Sequence, residues 1–171
     1  MDDESKVVTL ARKAVEKYVQ EGKRIKPPEN LPDILKKKSG VFVSLKKNGK
    51  LRGCIGTTEA VQKNIAEEII SNAISAASSD PRFSAVKPGE LKDLEYSVDI
   101  LGEKEPVESR EELDPDKYGV IVKKGHRSGL LLPDLDGIDT VDEQLKIAKK
   151  KAGLLPQQKV EIYRFPVHRY K

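Results

Sequence analysis

The chain has 171 residues, 35% charged and 37% hydrophobic, a balance that excludes disordered and fibrous classes and fits one domain with a sizeable core. Thirty-two lysines and arginines against 28 aspartates and glutamates leave a formal charge of only +4, a weak bias towards anionic partners. One cysteine excludes an internal disulfide, and two histidines leave no zinc-finger spacing.

The acidic start Met1-Asp2-Asp3-Glu4 lacks the basic and apolar regions of a signal peptide. The charge-free stretch Ile69 to Ser79 falls far short of the roughly 18 apolar residues of a membrane span, so a cytoplasmic protein without a membrane contact is expected.

Val7, Leu10, Ala11, Ala14, Val15 and Tyr18 recur at helical spacing, which predicts an amphipathic helix over 5–21, ended by Gly22 and the Pro27-Pro28 pair. Strands are signalled at 41–47 and 50–56, with Asn48-Gly49 as their turn. Val61, Ile65, Ile69, Ala73 and Ala77 predict a helix over 60–79 that stops before Pro81, its small residues suited to close packing on a sheet. Further strands are expected at 94–101, 118–124, 128–132 and 159–165; in the first, Leu94, Tyr96, Val98 and Ile100 alternate with Glu95, Ser97 and Asp99. Thr140 and Glu143 stand at capping-box spacing before a helix that runs to about Lys151, with Gly153 as its stop. No repeat or linker divides the chain, which reads as one domain over residues 1–171.

The register of the first hairpin decides where the lone cysteine points. A two-residue loop sets Cys54 opposite Val43 and mixes polar with apolar residues on each face. A three-residue loop with Gly49 in a left-handed bulge groups Val41, Val43, Leu45, Leu51 and Ile55 on one face and Phe42, Ser44, Lys46, Arg52 and Cys54 on the other. The second register is preferred because it segregates the aliphatic residues, and it makes Ser44 a cross-strand neighbour of Cys54.

Arg52 and Cys54, two apart in a strand, would share a face, and a guanidinium near a thiol favours the reactive thiolate. Gly53 and Gly56 would let a ligand or another backbone approach closely. The same cysteine is equally readable as a small apolar residue of the core. His126, in a turn, and His168, in what reads as an exposed tail, are the only imidazoles that could act as a base. Asp80, Arg82 and Phe83 follow the second long helix, where Asp80 could orient a ligand or hold Arg52, or pair locally with Arg82 as a helix stop.

The carboxylates from Asp134 to Glu143 do not match an EF-hand ladder, since Gly137 is fourth and not sixth from Asp134, and no metal site is assigned. Gly53-Cys54-Ile55-Gly56 formally fits a GXXG loop, but a hairpin strand is the wrong setting for it. The lysine clusters at 36–38, 46–47, 123–124 and 149–151 alternate with acidic runs and read as solvated surface, so nucleic-acid binding is the weakest reading.

Leu51-Arg52-Gly53-Cys54-Ile55-Gly56-Thr57 closely resembles the LRGCIGT signature of the AMMECR family. Asp80-Pro81-Arg82-Phe83, Tyr96-Ser97-Val98, Gly129-Leu130-Leu131-Leu132-Pro133 and Lys151-Ala152-Gly153-Leu154 extend the match in the family's order, whereas Asp134-Leu135-Asp136 departs from it. The resemblance implies an α+β fold of two interlocked subdomains, each with an antiparallel sheet and helices. It also implies an uncharacterised role in a pathway shared with a Memo-type protein and a radical-SAM enzyme; no cofactor is assigned. The expected function is a groove around the signature strand, lined by Ser44, Gly53, Gly56, Thr57, Asp80, Arg82 and Phe83, that binds an anionic small molecule or modified peptide. In a catalytic version Cys54 is the nucleophile or transient covalent carrier, Arg52 and Arg82 position the anion, and His126 is the weak candidate for a base. The alternative is a non-catalytic adaptor for a Memo-type or radical-SAM partner, and the residues leave open which of the two holds.

Overall fold

The computed structural model describes residues 2–171, which form in order α1 (Asp3–Glu21), α2 (Asp33–Lys36), β1 (Val41–Lys47), β2 (Lys50–Gly56), α3 (Ile65–Ser78), β3 (Leu94–Leu101), β4 (Glu105–Val107), β5 (Tyr118–Lys124), β6 (Arg127–Leu131), α4 (Val141–Lys151) and β7 (Glu161–Tyr170). Short 3-10 turns at Pro88–Asp93 and Arg110–Glu112 join them. The fold is α+β. The chain divides into two units, one of the residues up to Ile100 with His168–Lys171, the other Leu101–Val167.

In the first unit β1 is paired on one side with β2 and on the other with β3, both antiparallel. The apolar stripe of α1 and the small-residue face of α3 close over this sheet, so that Val7, Ala11, Val15, Val41, Val43, Leu45, Ile69 and Val98 are sealed from solvent. Each of these valine, leucine and isoleucine side chains contributes roughly 1.5–3 kcal/mol on full burial. Gly22, at φ +66°, ends α1 with its N–H on the Tyr18 carbonyl.

The helix expected from residue 60 begins at Ile65 instead. Asn64 caps it, its side chain accepting from the Glu67 N–H at 2.9 Å. Residues 60–64 are loop, and Val61, expected in the apolar stripe, is 69% exposed. Its N–H is instead bound by Glu68.

The first hairpin reaches the preferred register by another route. Asn48 and Gly49, both at positive φ, make a two-residue turn between Lys47 and Lys50, and one extra residue of β2, Arg52, is then inserted between the Lys46–Leu51 and Leu45–Gly53 pairs. Beyond that bulge Ser44 stands opposite Cys54 and Val43 opposite Ile55. Leu51, before the bulge, does not join the aliphatic face and is 41% exposed.

In the second unit β5 lies between β6 and β7, and β4 pairs with β7, all antiparallel. Helix α4 packs on β5 and β6 around Leu113, Val120, Val122, Leu131, Leu145 and Ala148. The capping box is formed, with Thr140 accepting from the Glu143 N–H and the Glu143 carboxylate accepting from the N–H of Thr140. Strand β7 runs on through Pro166 to Tyr170, so His168 is not tail but strand, its ring stacked 4.4 Å from that of Tyr170. Among the described residues no helix is long and apolar enough to cross a membrane.

Candidate functional site

Strand β2 is an edge strand, and an edge leaves backbone groups without a ladder partner. The loop after α3 closes this one. The Asp80 carboxylate accepts the Cys54 N–H at 3.0 Å, the Arg82 N–H at 3.0 Å, and the Arg82 guanidinium through Nε at 3.1 Å and Nη2 at 2.8 Å. Arg82 Nη2 also donates to the Cys54 carbonyl at 3.4 Å. Hydrogen bonds from Arg82, then from the two backbone N–H groups, hold the Asp80 carboxyl well below the usual carboxylate range against the opposing effect of its burial.

Asp80 is thus buried and fully engaged, whereas the Arg82 side chain is 56% exposed and lies 5.5 Å from the centre of the Phe83 ring. The half-buried Cys54 sulfur accepts a hydrogen bond from Ser44 Oγ at 3.2 Å. Ser44, Cys54, Asp80, Arg82 and Phe83 are therefore one constellation. Its cation is Arg82, and the Arg82 charge is strengthened first by Asp80 and to a lesser degree by Cys54.

Arg52 is turned to another task. Its Nε and Nη2 pair with the two oxygens of Glu90 at 3.0 and 3.1 Å, and its Nη1 and Nη2 donate to the carbonyls of Ser84 and Ala85 at 2.8 and 3.3 Å. Lys47 reaches the same carboxylate at 3.1 Å. The hydrogen bonds from Arg52, and after them the Lys87 N–H, bring Glu90 down to about 2. Arg52 ties the hairpin to the 3-10 turn, and Asp80 does not hold it.

The glycines are likewise accounted for within the chain. A Cβ on Gly53 would collide with the Ala76 carbonyl of α3, and one on Gly56 with the Phe42 ring. The space expected for a ligand is occupied by the helix and the phenyl group. His126 is exposed in the turn of the β5–β6 hairpin, in the second unit, whereas Cys54 belongs to the first.

Thr57 belongs to a buried polar cluster absent from the sequence reading. Its hydroxyl donates to Glu68 Oε1 at 2.8 Å, while Glu68 Oε2 accepts from the N–H groups of Val61 and Gln62 at 3.1 and 2.8 Å. Asn72 donates to the Val41 carbonyl at 2.8 Å and to Thr57 at 3.3 Å. Glu68 and Asn72 continue the Ile65 stripe at helical spacing, and that placement of polar residues on an apolar face was the available signal. A second such pair is Asp99, 4% exposed, held by Arg169 at 2.8 and 2.7 Å. A cavity of about 620 Å³ in the first unit lies elsewhere, lined by Arg12, Lys46, Leu94, Glu95, Tyr96 and Ser97 among others.

A chain 54% identical occurs in Thermotoga maritima, the match covering all of both proteins. A Clostridium acetobutylicum protein is 52% identical over 96% of this chain, which spans only 35% of that longer relative. The crystal structure of the uncharacterised protein PH0010 from Pyrococcus horikoshii superposes with a TM-score of 0.88 at 36% identity, covering 95% of this chain and 88% of that one. The AMMECR1 family model matches residues 8–170. With the signature strand, its bulge and its Asp80–Arg82 closure all inside that span, the chain belongs to the AMMECR1 family.

Proposed function

We propose that the surface formed by Arg82, Phe83, Cys54 and Ser44 binds the anionic group of a small molecule or modified peptide. The observation that carries this reading is the state of Arg82: two of its nitrogens are pinned by a buried carboxylate, yet its side chain remains 56% exposed beside the thiol. A guanidinium held in one orientation loses little freedom when a carboxylate or phosphate docks on its remaining edge. In the catalytic version Cys54 is the nucleophile, with Ser44 Oγ placed to donate to its sulfur. Iodoacetamide alkylation of Cys54 across pH, with inorganic phosphate as competitor, tests both parts. Protection by phosphate in the wild type and its loss in Arg82→Ala are expected; a sulfur inert in the native protein at all pH values overturns the thiol mechanism, and absence of protection overturns the anion site.

The adaptor reading, with a Memo-type or radical-SAM protein as partner, is favoured by a different observation. Arg52, Gly53, Gly56 and Thr57 all serve contacts within the chain, which leaves the signature strand as scaffold for a surface. Pull-down of purified candidates by wild type and Cys54→Ser separates the readings, since an adaptor keeps its partner without the sulfur.

A further inference from the structure

Acidic and basic runs that alternate along the chain separate in space within the second unit. The stretches 119–133 and 144–160 together hold eight lysines and arginines and no aspartate or glutamate. The structure joins their basic ends. Gly129 lies under the Ala148 carbonyl, Arg127 donates to the Gly153 carbonyl at 2.8 Å, and Lys151 to the Leu130 carbonyl at 3.3 Å. Lys123 and Lys124 at the end of β5, Arg127 at the start of β6, Lys149–Lys151 in the last turn of α4 and Lys159 before β7 thereby share one end of the unit. Glu161, opposite Lys123 in the β5–β7 ladder, marks its border.

Five carboxylates gather at the other end. Asp142 and Glu143 occupy the first turn of α4, and the loop carrying Asp134 is tied to the loop of Asp114 and Asp116 by the Asp134 N–H on the Pro115 carbonyl at 2.8 Å. Helix α4 spans about 16 Å between the poles, twice the roughly 8 Å over which physiological salt screens charge, so the carboxylates at its start do not neutralise the basic pole. A formal charge of +4 for the chain conceals this division.

Some of these cations serve the fold, Arg127 and Lys149 on carbonyls of the loop after α4 and Lys151 on the Leu130 carbonyl of β6. Lys124, Lys150 and Lys159 are exposed, and so, at 58%, is Leu155 in the loop after α4 that Lys149 holds through the Pro156 carbonyl. The unit's tyrosines Tyr118 and Tyr163 carry Arg164 and Lys123 over their rings at 4.3 and 5.2 Å, so a stacking platform for unpaired bases is already occupied. Exposed lysines and an accessible leucine at one end of the unit match a carboxylate-rich segment with apolar side chains.

We infer that the basic pole of the second unit docks an acidic segment of a partner protein, at a site independent of the Arg82 surface. The test is fluorescence anisotropy of a fluorescein-labelled peptide of glutamates interspersed with leucine, titrated with the full chain at low salt. The triple variant Lys124→Glu, Lys150→Glu, Lys159→Glu is expected to weaken binding at least about tenfold, and Leu155→Ser severalfold. The triple Lys23→Glu, Lys26→Glu, Lys38→Glu, with the same charge change in the first unit, is expected to alter it less than about twofold. Equal weakening by both triples, no peptide binding by the wild type, or tighter binding of a single-stranded DNA oligonucleotide than of the peptide each overturns the proposal. Circular dichroism melts confirm that each variant is folded, and Leu155→Ser supplies the test by itself if the basic-pole triple does not fold.

Discussion

Gly53 of β2 lies directly against the backbone of Ala76 in α3, close enough that any side chain at residue 53 would strike the Ala76 carbonyl. The second unit uses the same contact, with Gly129 of β6 against Ala148 of α4. In each a helix rests on a hairpin strand through a residue without a Cβ.

Neither helix carbonyl can move without shifting the helix, so overpacking applies at full strength. Gly53→Ala and Gly129→Ala are each expected to destabilise by about 2–3 kcal/mol or more. Gly89→Ala, whose added methyl would meet nothing within 4 Å, is expected to be close to neutral. Urea titrations of the three variants provide the comparison.

Elements with a clear period were legible in the sequence: α1, β3 and α4 with its capping box stand close to where their spacing put them. The pairing of Ser44 with Cys54 was legible too, because burying aliphatic residues on one face constrains register strongly. How the register is achieved was not, since an extra residue at Arg52 leaves no local mark and serves an ion pair with Glu90, 38 positions away. The start of α3 was missed because Glu68 binds the backbone of a loop that reads as helix. Strand β7 was cut short at Pro166, which lacks a donor yet is accommodated opposite Tyr118. Of the two arginines expected to position an anion, Arg52 is engaged by Glu90 for the same reason as the bulge: side-chain reach across the fold is invisible to spacing along it.

Glu68 is fully buried and satisfies two backbone N–H groups and a hydroxyl. Glu68→Leu strands all three donors, and about 3–5 kcal/mol of stability is expected to be lost. Glu68→Gln keeps one acceptor oxygen for the Val61 and Gln62 N–H groups, and a loss smaller by about 1–2 kcal/mol is expected. Chemical denaturation of both variants reads the difference.

If Arg82 is the cation that matters to the thiol, Arg82→Ala is expected to slow alkylation of Cys54 near neutral pH by roughly fivefold, the equivalent of about 1 kcal/mol of charge interaction near a surface. Arg52→Ala is expected to leave that rate nearly unchanged while lowering the melting temperature, because its guanidinium serves Glu90 and two carbonyls. A rate that responds to Arg52 and not to Arg82 reverses the assignment.

Asp80 and Glu90 both titrate lower in the folded chain than when unfolded. Their contribution is therefore complete above the unfolded carboxylate range, near pH 4, and is lost as pH falls through it, for Glu90 down to about 2. Stability measured by urea between pH 5 and pH 2, an acid window of about three units, is expected to fall more steeply in the wild type than in Glu90→Gln. That variant is weaker at neutral pH by about 2 kcal/mol, since its charge-assisted bonds to Arg52 and Lys47 are already gone.

Tyr96 carries a buried hydroxyl with no hydrogen-bond partner among the described residues, beneath Arg12, whose guanidinium lies 5.4 Å from the ring centre. Burial, and after it the charge of Glu16, pushes the phenol up to about 12. Because the folded value lies above the unfolded one near 10, the neutral phenol favours the fold at every lower pH, and that contribution disappears as pH rises from about 10 to about 12. Tyr96→Phe removes a desolvated polar group and keeps the ring under Arg12, so stability at neutral pH is expected to be unchanged or raised by up to about 1 kcal/mol. Thermal melts of the variant check the first expectation, and ultraviolet titration of phenolate, with the ionisation near 12 missing from Tyr96→Phe, checks the second. A loss of more than about 1 kcal/mol on removing the hydroxyl would mean that it makes a bond worth keeping, and the orphan reading of Tyr96 would fall.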